Sequence, residues 1–94
     1  MALSSEQEEA LEAIVAGIPH IALVIAVIPI DERAKALDAA ERSYLRTMRN
    51  FGFEETASRT WTSAVMRRLR RQVEERDFAN QKMLRSLVQE LLRA

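Results

Sequence analysis

The sequence predicts an all-α fold, a small bundle of four or five helices with a long C-terminal helical hairpin, assembled as a dimer. The 94 residues contain only two glycines and two prolines, and apolar residues recur at helical spacing almost throughout. This length fits a single helical domain spanning 1–94. An apolar fraction of 48% is generous for so short a chain, which favours packing against a second copy.

The first helix is predicted from its capping signals. Ser5 begins an S-x-x-E capping box, and the same pattern with glutamine begins one residue earlier, at Ser4. One buried face follows at spacings of three and four residues: Leu11, Ile14, Val15 and Ile18. Gly17 is a natural C-terminal stop and Pro19 suits the first turn of a new helix, so we expect this helix to end between them.

The apolar stretch from Ile18 to Ile30 allows two interpretations. Five of the eight residues in Ile21–Ile28 are β-branched, which is typical of a strand. A strand needs a partner, however, and no other segment resembles one. We therefore favour a short, buried helix that ends at Pro29, because the residue before a proline avoids the α region.

The remainder of the chain predicts a helical hairpin. Asp31 can cap a helix that ends near Gly52, and the aromatic or bulky residues around that glycine are expected in the core: Tyr44, Met48, Phe51, Phe53 and Trp61. Residues 53–94 contain neither glycine nor proline. They allow one continuous helix or two helices with a boundary at Asp77, and the sequence does not decide between them.

Composition argues against catalysis. The chain has no cysteine, which removes disulfides, thiolate metal sites and cysteine nucleophiles together. His20 is the only histidine and lies in the apolar stretch, where no sequence neighbour could orient it as a general base. Carboxylate-bridged metal sites in helical bundles need Glu-x-x-His motifs, which are missing. We expect no enzyme activity, no cofactor and no bound metal.

The C-terminal segment predicts self-association. Four apolar residues define one helix face there: Leu84, Leu87, Val88 and Leu91. A compact monomer of this size does not need so long a helix, and a second copy is the simplest cover for the face because two-fold dimers are the commonest oligomers. The expected function is a non-catalytic module for homodimerisation and protein–protein interaction.

A basic cluster supports an alternative function. Four arginines fall within about one helical turn and could meet phosphates: Arg67, Arg68, Arg70 and Arg71. The whole chain is neutral, with 14 basic and 14 acidic residues, which argues against capture of nucleic acid by overall charge. A solvated helix face, partly neutralised by Glu74 and Glu75, is the simpler reading, and a nucleic-acid-binding module is the runner-up.

The N-terminal residues indicate location. Residues 1–30 carry four glutamates and no lysine or arginine, unlike the basic start of a signal peptide. We therefore expect a cytoplasmic protein. Twelve arginines against two lysines suggest a GC-rich bacterial genome. Leu11–Ile30 approaches the length of a membrane span, but we expect it to be buried in folded protein.

Overall fold

The computed structural model describes residues 3–93 and contains three helices: α1 (Ser5–Ala26), α2 (Ile30–Asn50) and α3 (Glu55–Arg93). No strand occurs among these residues, so the all-α prediction is confirmed. The expected number of four or five helices is wrong. The boundary that we predicted at Gly17 lies inside a continuous helix, and so does Asp77, where the sequence left open whether the last segment is one helix or two.

Helix α1 runs through both glycine and proline. Ser4 caps it, with Gln7 completing the capping box, so the earlier of the two predicted boxes is the one that forms. Pro19 lacks an N–H and cannot close a helical hydrogen bond, which typically costs about 3 kcal/mol. Burial of Ile18, Ala22 and Ile25 offsets this cost, because tertiary packing supplies most of the stability of a protein helix. The apolar stretch is therefore helical up to Ala26 as the last part of α1. The strand interpretation is wrong, and the favoured short separate helix that ends at Pro29 is not formed either.

A short turn joins α1 to α2. It spans 27–29, and Pro29 occupies the N-cap position of α2 with no side-chain cap. Asp31, predicted as the cap, instead lies in the first turn of the helix with Glu32. Negative charge there is favourable because backbone N–H groups at a helix start carry partial positive charge.

The turn between α2 and α3 depends on Gly52. Its φ of +82° lies in the left-handed region, where a residue without Cβ avoids a steric penalty. The Gly52 amide donates to the Arg49 carbonyl and the Phe53 amide to the Met48 carbonyl, which together form a Schellman motif. The predicted end of α2 at this glycine is confirmed.

Helix α3 is unbroken over 39 residues, which corresponds to about 58 Å at 1.5 Å per residue. The longest dimension of the molecule is 62 Å, so α3 sets that dimension by itself. Helices α1 and α2, at 22 and 21 residues, are each a little over half as long. The described part of 53–94 thus contains one helix, Glu55–Arg93, and Asp77 is not a boundary.

The three helices share one core. Helices α1 and α3 are parallel to each other, and α2 is antiparallel to both. Ile18, Met48 and Leu69 bring one fully buried side chain from each helix. Among the bulky residues around Gly52, three are buried as expected: Tyr44, Met48 and Phe53. Phe51 and Trp61 are 43% and 40% exposed, so the core includes only part of that cluster.

Candidate association surface

The C-terminal part of α3 extends beyond the bundle. Val73 is the last buried residue of the helix, and every residue from Phe78 to Arg93 is exposed. We call residues 78–93 the overhang. Its 16 residues are about 24 Å long. The four predicted interface residues lie in it and are 49–76% exposed: Leu84, Leu87, Val88 and Leu91.

The apolar face of the overhang continues the buried face of α3. An α-helix completes about five turns in 18 residues, so residues 18 apart lie on the same side. Three pairs have this spacing, each joining a buried core residue to an exposed overhang residue: Met66 with Leu84, Leu69 with Leu87, and Val73 with Leu91. The side of α3 that packs against α1 and α2 therefore continues past their ends with no cover from residues 3–93.

A partly buried ion pair marks the point where the bundle ends. The Arg33 guanidinium donates from Nη2 to the Ala26 carbonyl at 2.7 Å and to Asp77 Oδ1 at 3.0 Å. Its Nε donates to the Ile28 carbonyl at 2.9 Å. Arg33 thus satisfies carbonyl oxygens that the end of α1 leaves without helical partners and ties the α1–α2 turn to α3. This contact was not predicted from the sequence. The only local feature that indicates it is the position of Arg33, one helical turn after Pro29.

Polar contacts also close the opposite end of the bundle. Gln7 Nε2 donates to the Phe51 carbonyl at 3.2 Å, linking the start of α1 to the end of α2. Arg49 and Arg59 both donate to the Glu55 carboxylate, from their Nε atoms at 2.9 and 3.0 Å. The hydrogen bond from Arg49 is the main reason that the pKa of Glu55 falls below its ordinary value, and Arg59 lowers it further.

The four arginines of the alternative site are all exposed: Arg67, Arg68, Arg70 and Arg71. Within residues 3–93 none of them forms an ion pair. The ion pairs with Glu74 and Glu75 that we expected are therefore absent among residues 3–93. Arg67 and Arg71 lie opposite the buried side of α3, whereas Arg68 borders an apolar groove between α1 and α3 together with Val15 and Trp61.

The described residues contain no cluster of side chains that could hold a metal ion: groups of three or more His, Asp or Glu side chains are not found between residues 3 and 93. His20 is exposed on α1. Tyr44 and Thr62 are buried, and their hydroxyl groups find no hydrogen-bond partner among residues 3–93. Burial raises the pKa of Tyr44.

Helix α1 passes a simple length and composition test for a membrane span. Its most apolar 18-residue window has a mean hydropathy of 1.7, and 39% of that window is buried inside the bundle. One such helix is weak evidence for a span, because the mostly buried core helix of a globular bundle and a signal sequence have the same length and composition. Ile18, Ala22 and Ile25 of α1 belong to the shared core. Leu23 and Val24 are 44% and 48% exposed and Val27 and Ile30 are each 70% exposed, so the expected burial of the apolar stretch is confirmed for one side of it only.

Comparison with known proteins gives no match. No protein-family model matches the chain, and neither a curated protein nor a solved structure is significantly similar to it.

Proposed function

We propose that this protein is a non-catalytic helical module that forms a homodimer through the apolar face of its overhang. The observation that carries the proposal is the continuity of one helix side, from the buried Leu69 to the 49% exposed Leu87. Exposed apolar patches of this kind mark interaction sites in soluble proteins. Partner proteins could then dock on the assembled dimer.

The width of this face supports a protein partner. Met83 and Val88 flank the row formed by Leu84, Leu87 and Leu91, so the apolar stripe is wider than the two-position seam of a simple coiled coil. The charged side chains Lys82, Arg85 and Glu90 lie to the sides or on the back. A stripe with that breadth is typical of helices that pack in a bundle, and a second copy of this chain carries a face of the same length.

Substitution of Leu87 by glutamate tests the proposal. In a two-fold dimer Leu87→Glu introduces two carboxylates into the apolar contact, and we expect the dissociation constant to rise at least about 100-fold. Sedimentation velocity at several concentrations measures it, and far-UV circular dichroism checks that the helices remain.

The matched control is Gln89→Glu, which adds the same charge to the back of the overhang and should leave the dimer intact. The proposal fails if the unmodified chain is a monomer at micromolar concentration. It also fails if folded Leu87→Glu associates as tightly as the unmodified chain.

A nucleic-acid-binding module is the second candidate, supported by the absence of ion pairs to the arginine cluster within residues 3–93. Free guanidinium groups can contact phosphates and release counterions. Retention on immobilised duplex DNA at about 150 mM salt, lost when all four arginines are replaced by glutamine, would favour this function. A dimerisation module predicts no retention at that salt concentration, and unchanged sedimentation of the quadruple variant.

A further inference from the structure

The direction in which the overhang faces restricts how two copies can pair. Leu84, Leu87 and Leu91 continue the side of α3 that contacts α1 and α2. The space next to the apolar face of the overhang therefore lies directly beyond the ends of α1 and α2, on the same side of α3 as those two helices. Any helix that covers this face must lie end-on to those two helices, in the volume beyond the α1–α2 turn.

A parallel pair does not fit this space. Packed helices have axes about 8–10 Å apart, so two parallel overhangs in contact would bring both α3 helices equally close along the bundles. Each α3 carries α1 and α2 on the side that faces its partner, and these helices would occupy the same volume. Face-to-face parallel pairing is therefore excluded unless α3 bends sharply where it leaves the bundle.

An antiparallel pair fills the space without conflict. Each overhang then lies in front of the other and points toward the partner's bundle, with its tip at the partner's α1–α2 turn. That turn carries two apolar side chains on either side of Pro29, and Val27 and Ile30 are each 70% exposed. The tip carries Leu91 and Leu92, which are 76% and 82% exposed. In this arrangement the exposed apolar side chains of the tip face the exposed apolar side chains of the partner's α1–α2 turn.

The size of the contact also requires more than the two overhangs. A face about 24 Å long and about 10 Å wide is small beside the roughly 800 Å² that each partner buries in a stable interface. Contact between the tip and the turn occurs twice in a two-fold dimer, so it adds apolar area at both ends of the pair.

We propose that the homodimer is antiparallel and that the tip of each overhang, with Leu91 on the continuous apolar face and Leu92 beside that face, docks on Val27 and Ile30 of the other copy. This inference rests on the proposed dimerisation through the overhang and specifies its geometry. The α1–α2 turn becomes a docking site for a second copy of this chain, although it is distant in sequence from the helix that supplies most of the contact.

Disulfide trapping tests the geometry, because the natural chain has no cysteine. Val27→Cys and Leu92→Cys change exposed side chains, so both variants should fold. Two differently tagged preparations, one of each variant, are mixed and oxidised. An antiparallel dimer gives mostly the mixed covalent dimer, whereas Leu92→Cys alone gives little covalent dimer because its two tips lie at opposite ends.

Ala13→Cys, an exposed position on α1 away from the turn, is the matched control and should form little mixed dimer with Leu92→Cys. Sedimentation of the cysteine-free chain separates the two proposals. A monomer overturns dimerisation and this geometry together. A dimer in which Leu92→Cys links to itself, or in which the Val27→Cys and Leu92→Cys mixture does not link, overturns the geometry alone.

Discussion

The packed and projecting parts of α3 are one helix in two environments. Over Glu55–Asp77 the helix buries one side against α1 and α2, and over the overhang the same side meets solvent. Leu69 is fully buried, while Leu87, five turns later on the same side, is 49% exposed. The two segments have the same chemistry and the same geometry, so they differ only in whether another helix lies in front of them.

This difference shows where the free energy of folding comes from. Burying a leucine side chain contributes roughly 1.5–3 kcal/mol relative to leaving it exposed. Met66, Leu69 and Val73 provide that contribution within one chain, whereas their counterparts in the overhang can provide it only on association. The core of the bundle should therefore contribute its stability at any protein concentration, and the overhang should add to stability only at concentrations where the chain associates.

The sharpest test of the comparison uses the two matched leucines. Leu69→Ala removes a fully buried side chain from the core, and we expect it to lower the free energy of unfolding by about 3 kcal/mol at any protein concentration. Leu87→Ala should cost under about 0.5 kcal/mol in the monomer, as for other surface substitutions.

Urea denaturation at low and high protein concentration measures both variants. At high concentration Leu87→Ala should lose additional stability, because the dimer contributes only there. Equal losses for Leu87→Ala at both concentrations would contradict the assignment of the overhang as an association face.

The junction between the two regions gives the next largest effect. Arg33→Met removes the hydrogen bonds to the Ala26 and Ile28 carbonyls and to Asp77, and leaves the partly buried Asp77 carboxylate with Gln81 as its remaining donor. Hydrogen bonds to charged groups contribute about 1.5–3 kcal/mol, so we expect a loss of about 2 kcal/mol. Thermal and urea unfolding measure the change. Lys35→Met, at an exposed position of the same helix, is the control and should change stability little. A loss equal to that of the control would contradict the role of Arg33.

The smallest effect concerns pH at the opposite end of the bundle. The Glu55 pKa is lower in the folded protein than its ordinary value of 4.5. Its stabilising contribution is therefore complete above about pH 4.5 and is lost as the pH falls through the lowered value. Glu55→Gln should reduce the Tm slightly at pH 7, and this difference should vanish at strongly acidic pH. Because the site is exposed, the effect should also shrink at high salt. Glu54→Gln is the neighbouring control, and an acid-independent difference for Glu55→Gln would refute the assignment.

Much of the fold was predictable from local patterns. The cap at Ser4, the glycine turn at Gly52 and the amphipathic spacing of α3 are short-range signals that act within one or two turns of helix. The residues that we predicted for association and the arginine cluster occupy exposed positions of α3, and their roles stay predictions. Prediction failed at Gly17, where packing between helices overrode a plausible local stop, and the local pattern at Asp77 left the continuity of α3 undecided.

The sequence by itself determined that the chain is helical and which side of each helix is apolar, because hydrophobic spacing and capping depend on residues a few positions apart. Only the tertiary structure decided that α1 continues through Pro19, that Asp77 pairs with Arg33, and that α3 extends beyond the ends of α1 and α2. These outcomes depend on the relative lengths of three helices and on contacts between residues far apart in the sequence, such as the hydrogen bond that joins Arg33 to Asp77 across 44 positions. Whether a side chain is buried depends on which other helices pack against it, so a pattern of neighbouring residues in the sequence does not determine it.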